Sequence, residues 1–225
     1  MKFKLDIGAG KYNTELMTPD PNDSWCVVHI DRCYEGTFGK TITEVAEHVL
    51  DYLKITENPN DSYPCNEKGK IYHIFCKCDV FEFMDNFPIK AFDAINCNRM
   101  FEHLEYCGGE VGRMLEACNA ISKYDATLEF VVPNAEILAD MVLNKEELTP
   151  NDIMVLNTEF CNGKFDPHAS IWTPRLAKYY IDQEDTWKIT SIVKRYPFAG
   201  RDIYMKVFCK KPQEKQHNKE LDKWA

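Results

Sequence analysis

Leu5-Asp6-Ile7-Gly8-Ala9-Gly10 lies almost at the start of the chain, and a second apolar run, Trp25 to Ile30, leads into Asp31, 25 positions after Asp6. A strand running into a turn with two glycines lets the backbone come close to a ligand, because neither position carries a Cβ that would collide with it. An acid closing the next strand can accept hydrogen bonds from both hydroxyls of a ribose. Strand, glycine turn, strand and acid are the parts of a βαβ nucleotide fingerprint, whose acid falls ~20 residues on. The third glycine of the dinucleotide version would stand at position 13, which is Asn13. That departure points away from a pyrophosphate.

Around this opening, apolar runs alternate with helical patterns, as in a parallel sheet with crossover helices. Strands are predicted near residues 3–7, 25–30, 71–76, 92–97 and 127–132, and two closing strands over 186–194 and 202–209. Thr41 to Glu44 forms a capping box, and Val45, Ala46, Val49, Leu50 and Leu53 share one helical face behind it. Val111, Met114, Leu115, Cys118 and Ile121 make a second apolar stripe. Thr173-Pro174 opens a third helix, with threonine as the cap and proline at the first helical position. The closing strands turn around Pro197 and Gly200.

Several segments, in order, resemble the motifs of class I S-adenosylmethionine-dependent methyltransferases. Phe92-Asp93-Ala94-Ile95-Asn96-Cys97-Asn98 followed by Arg99-Met100-Phe101-Glu102-His103-Leu104 is similar to the family's fourth motif, a strand ending in Asn or Asp before a Glu-His-Leu-like run. Cys78-Asp79-Val80-Phe81 looks like the third motif, whose acid meets the adenine amine. Gly108-Gly109 and Thr127 to Pro133 resemble the approach to the fifth strand and the strand itself. The likeness spans most of residues 3 to 210. It implies an α/β fold, a three-layer Rossmann-like sandwich on a mostly parallel seven-stranded sheet whose last strand is antiparallel.

The implied cofactor is S-adenosyl-L-methionine, held by Asp6, Gly8, Ala9, Gly10, Asp31, Arg32, Asp79, Val80 and Asn98. Asp79 is equally suited to capping the helix it precedes, and the two roles are compatible. Glu102 and His103 are the candidates for catalysis, since a mostly neutral imidazole beyond the fourth strand can take a proton from a hydroxyl or amine. The same two residues could instead only shape the start of the following helix. The acceptor of the methyl group is open, as is the choice between oxygen and nitrogen. No Asp-Pro-Pro-Tyr or Asn-Pro-Pro-Phe motif follows the fourth strand, so methylation of an exocyclic base amine by that route is disfavoured. The alternative reading is a catalytically silent methyltransferase-like subunit that binds cofactor or a partner.

One domain is expected over residues 1–212, with a lid-like insertion at 134–172 and a polar tail at 213–225. The insertion offers Phe165, His168 and Trp172 as substrate-side residues, against the alternative that they simply pack the lid. Residues 54–70 read as a polar surface loop.

Composition narrows the partners. A net charge of −9 argues against strong non-specific nucleic-acid binding. Neither a membrane-length apolar run nor a charged-then-apolar leader is found, so a soluble, cytoplasmic protein is expected, with its ten cysteines as reduced thiols. With only four residues before Leu5, a partner subunit, a second copy or a large substrate has room to complete the site.

Three further patterns do not carry function. Gly36 to Thr41 ends like a phosphate-binding loop, but its first glycine would be Tyr34. His73 points away from Cys76 and Cys78 on a strand, and no second pair at zinc spacing follows, so no metal is expected. Pro64-Cys65 precedes the third strand, the wrong place for a cytosine-directed nucleophile. A nicotinamide oxidoreductase would also need a Tyr-x-x-x-Lys pair, and none of the tyrosines has lysine four positions on.

Overall fold

A computed structural model of the protein describes residues 2–8, 24–32, 40–57, 70–145, 147–160, 168–198 and 200–212. Among these residues the elements run β1 (Lys2–Ile7), β2 (Trp25–Ile30), α1 (Ile42–Glu57), β3 (Ile71–Cys76), α2 (Val80–Asn86), β4 (Phe92–Asn98) and α3 (Glu110–Ile121). They continue with β5 (Ser122–Pro133), α4 (Ala135–Asn144), α5 (Pro150–Phe160), α6 (Pro174–Gln183), β6 (Lys188–Phe198) and β7 (Arg201–Lys210). A short 3-10 turn, Phe101–His103, follows β4.

The strands form one seven-stranded sheet in the order β3-β2-β1-β4-β5-β7-β6. Pairing is parallel from β3 through β5. β7 runs antiparallel to both of its neighbours. The order reverses beside β1: the chain builds outward through β2 and β3, then returns to place β4 against β1's other edge. At such a switch point the carboxyl ends of the strands open a crevice for ligand.

One sheet face presents Phe3, Leu5 and Ile7 of β1, with Cys26, Val28 and Ile30 of β2, Ile95 and Cys97 of β4, and Leu128 and Phe130 of β5. These positions alternate along each strand, as one buried face requires. Apolar stripes from α1, α2, α3 and α6 join the same cluster through Val49, Phe83, Met114 and Ile181. On the opposite face, Leu138 of α4 and Val155 of α5 pack with Val131, Ile203 and Tyr204 at the β5–β7 end of the sheet. Helices therefore cover the sheet from both sides, giving the expected three-layer α/β architecture.

Local signals account for most helix starts. Thr41 and Glu44 bond reciprocally ahead of α1, with the Thr41 N–H donating to the Glu44 carboxylate at 2.7 Å. Thr173 Oγ1 accepts from the Leu176 N–H at 3.1 Å, and Pro174 follows at the first helical position. Thr149 and Asp152 make an equivalent box ahead of α5. Strand β5 starts five residues earlier than its apolar pattern at 127–132 suggested. Its first part pairs irregularly, with Ser122 opposite Phe92 and then Thr127 opposite Ala94, and Asp125 between them has φ of 62°. The polar run Lys123-Tyr124-Asp125 hides this extension from an alternation pattern. Among the described residues no helix is long and apolar enough to cross a membrane.

Candidate functional site

A groove of about 680 Å³ crosses the carboxyl ends of β1, β2 and β4 and the start of α2. Gly8 ends β1 there with φ of 67°, a left-handed conformation that costs an L-residue roughly 1–2 kcal/mol and glycine nothing comparable. Its N–H donates to the Ile30 carbonyl at 3.0 Å, tying the turn to β2. A Cβ there would stand 3.6 Å from the Asn98 carbonyl oxygen and 3.7 Å from Met100 Cβ, on the groove's wall. Backbone conformation, more than crowding, selects glycine at this position.

Asp31 and Arg32 line the groove at the end of β2, and Asp79 and Val80 line it from the start of α2. The Asp79 side chain also caps α2, accepting from the Phe81 N–H at 2.8 Å. Beyond β4, Arg99, Met100, His103 and Leu104 close the other end. The structure thus gathers Gly8, Asp31, Arg32, Asp79, Val80 and His103 around one groove. Ala9 and Gly10 lie outside the described residues, as do Asn13 and Phe165.

Asp6 and Asn98 take different positions. Asp6 is buried, and its carboxylate accepts from Asn96 Nδ2 at 2.9 Å and pairs with His29 Nδ1 at 2.9 Å. His29 Nε2 in turn meets His73 Nδ1 at 2.8 Å, and burial lowers the His73 pKa. This polar chain links β3, β2, β1 and β4 across the sheet, and none of its residues lines the groove. Asn98 is buried beside Gly8, its carbonyl facing the turn.

At the β4 end, Glu102 is buried with Arg99 Nε 3.7 Å from its carboxylate. Arg99 itself has φ of 55°, uncommon for a residue with a side chain, and its N–H donates to the Val131 carbonyl at 2.8 Å. A second buried acid, Glu159 of α5, lies 3.9 Å from the Arg99 guanidinium. It accepts from Arg201 at 3.3 Å and from the Tyr204 hydroxyl at 3.1 Å. Burial, joined by this carboxylate, pushes the Tyr204 pKa up to about 12. Glu159 was invisible to sequence reasoning: it falls on a helix of weak pattern, and only the packing of α5 against β7 brings it to the site.

The insertion contributes His168. Its Nδ1 lies 2.9 Å from the Glu159 backbone carbonyl, and its ring meets the His103 ring edge-on at 5.0 Å. Burial first, and then His103, lower the His168 pKa. The segment behind it is pinned to the 3-10 turn: the Ala169 and Ser170 N–H groups donate to the Glu102 carbonyl at 2.7 and 3.0 Å. Trp172 corrects the sequence reading. It is 1% exposed, its indole packs edge-on against Phe101, Phe130 and Tyr180, and its N–H donates to Ser170 Oγ at 2.9 Å. An aromatic in a presumed lid suggested a substrate contact, but the residue belongs to the main core.

Comparison with solved structures agrees with this architecture. A SAM-dependent methyltransferase from Methanosarcina mazei superposes with a TM-score of 0.50 at 16% identity, covering 94% of this chain and 93% of that one. A 1,6-didemethyltoxoflavin-N1-methyltransferase from Burkholderia thailandensis, with S-adenosylhomocysteine bound, gives 0.50 at 13% identity over 94% and 71% of the two chains. An N,N-8-amino-8-demethyl-D-riboflavin dimethyltransferase from Streptomyces davawensis gives 0.50 at 14% identity over 93% and 49%. No protein-family model matches the chain, and no curated protein is similar to it in sequence. The chain carries the class I, Rossmann-like fold of S-adenosylmethionine-dependent methyltransferases.

Proposed function

We propose that this protein binds S-adenosylmethionine in the groove and transfers its methyl group to an oxygen or nitrogen of an acceptor. The observation that carries the reading is the convergence of Gly8, Asp31, Asp79 and His103 on one groove at the sheet's switch point. Gly8 offers a backbone that a ligand can approach. Asp31 suits a ribose, whose two hydroxyls donate to one carboxylate. Asp79 and the apolar start of α2 suit an adenine, with the acid toward the exocyclic amine. The methyl group then faces Arg99, Met100 and His103.

Methyl transfer makes modest demands on a base, because the sulfonium is already an activated donor and alignment supplies most of the advantage. His103 is the group we assign to receive a proton from the acceptor, with Glu102 buried behind it. Helix α5, through Glu159, and the segment carrying His168 flank the acceptor side. The acceptors named for the structural neighbours, a didemethyltoxoflavin and an amino-demethyl-riboflavin, differ from one another, so the acceptor here is left as a class. Incubation with methyl-labelled cofactor and fractionated cell extract tests the activity. Label entering one fraction, protein, nucleic acid or small molecule, identifies that class. Cofactor binding with no labelled acceptor in any fraction would favour the catalytically silent reading.

A further inference from the structure

We propose that Glu102, His103 and His168 form a site for a divalent first-row transition ion of the zinc class, at the acceptor end of the groove. Each offers one ligand atom, and these atoms lie within 4.8 Å of one another. In a tetrahedral site, bonds of about 2.0–2.1 Å set ligand atoms about 3.3–3.4 Å apart, so even a pair at the 4.8 Å limit closes when each side chain moves about 0.7 Å. Two imidazoles and a carboxylate are a ligand set such ions favour, and three protein ligands leave a position for substrate or water.

The surroundings are built as ligand sites are. A backbone carbonyl can only accept, so the Glu159 carbonyl at 2.9 Å fixes the proton of His168 on Nδ1 and makes Nε2 the nitrogen whose lone pair can ligate. His168 and Glu102 come from segments 66 positions apart, yet the hydrogen bonds from Ala169 and Ser170 to the Glu102 carbonyl lock them together. His103 lines the groove, so an ion bound here faces the ligand space. The sequence reading expected no metal; His168 joins the Glu-His pair only through folding.

Charge indicates what the ion would hold. Glu102 and Glu159 face Arg99 and Arg201, so the carboxylates and guanidiniums balance. A dication adds a surplus of positive charge that an oxygen-anion acceptor neutralises: a phenol, enol or carboxylic acid whose pKa the ion lowers so that its proton passes to solvent, His103 then serving as a ligand in place of its role as base. This role, unlike the binding itself, rests on the methyl-transfer reading.

Titration of chelator-treated protein with Co²⁺, without cofactor, tests the site. The expected result is visible absorption saturating at one equivalent and displaced by Zn²⁺. At least tenfold weaker binding is expected in both His168→Ala and Glu102→Gln, with circular dichroism confirming that each variant is folded. Absence of a one-equivalent transition, binding unchanged in both folded variants, or strong near-ultraviolet thiolate charge transfer would overturn the proposal. Because no cofactor is present, failure here is distinct from failure to bind S-adenosylmethionine.

Discussion

Replacing Trp172 by alanine separates a core residue from a substrate contact. A buried indole removes roughly 200–250 Å² from water, worth about 5–6 kcal/mol at ~25 cal/mol/Å². The remaining Cβ and the partial compaction of the unfolded chain lower this to about 4 kcal/mol, inside the range of about 3–5 kcal/mol seen for large aromatic truncations. Trp172 is 1% exposed and touches three aromatic rings, so little collapse can fill the space. With a urea slope of about 3 kcal/mol per molar, the midpoint should fall by about 1.3 M. Far-ultraviolet circular dichroism is the suitable probe, because the chain has four tryptophans. Trp172→Phe keeps most of the packing and should lose about 1–2 kcal/mol, part of it the hydrogen bond to Ser170. A midpoint for Trp172→Ala within about 0.2 M of the parent would refute the core assignment, since less than about 0.6 kcal/mol is what an exposed position loses.

Gly8→Ala should destabilise the protein by about 1–2 kcal/mol through its φ of 67°, while Gly8→Asn loses less because asparagine tolerates that conformation. Thermal denaturation of the two variants checks the ranking; an alanine variant as stable as the parent would mean the turn is not left-handed. Asp152 has its pKa lowered to about 2, chiefly by the hydrogen bond from Lys145 and then by Thr149. Its stabilising contribution is complete above the ordinary value of 3.8 and is lost as pH falls from there through about 2. Asp152→Asn should therefore flatten stability against pH in that window, and unchanged pH dependence in acid-melt curves would count against the capping box.

The sheet and the gathering of Gly8, Asp31 and Asp79 at one groove were legible because both depend on local signals. Alternating apolar runs mark the strands, while Gly8, Asp31 and Asp79 sit at strand or helix ends that chain order alone brings together. Two kinds of feature were not legible. Burial direction is one: Asp6 belongs to the fingerprint pattern, yet its carboxylate is engaged by His29 and Asn96 and does not line the groove. Tertiary convergence is the other. Glu159 reaches Arg99, and His168 reaches His103, only because α5 packs on β7 and the following segment bonds to the 3-10 turn. Trp172 shows the same limit in reverse, since its neighbours Phe101 and Phe130 are distant in sequence.

Calorimetric titration with S-adenosylmethionine, repeated on Asp31→Ala, tests the central claim most directly. The account predicts one binding site in the parent protein and affinity at least tenfold weaker in the variant, whose fold circular dichroism should show unchanged. Loss of a charge-assisted hydrogen bond of about 1.5–3 kcal/mol sets that scale. No heat of binding in the parent, or equal affinity in the folded variant, would contradict it.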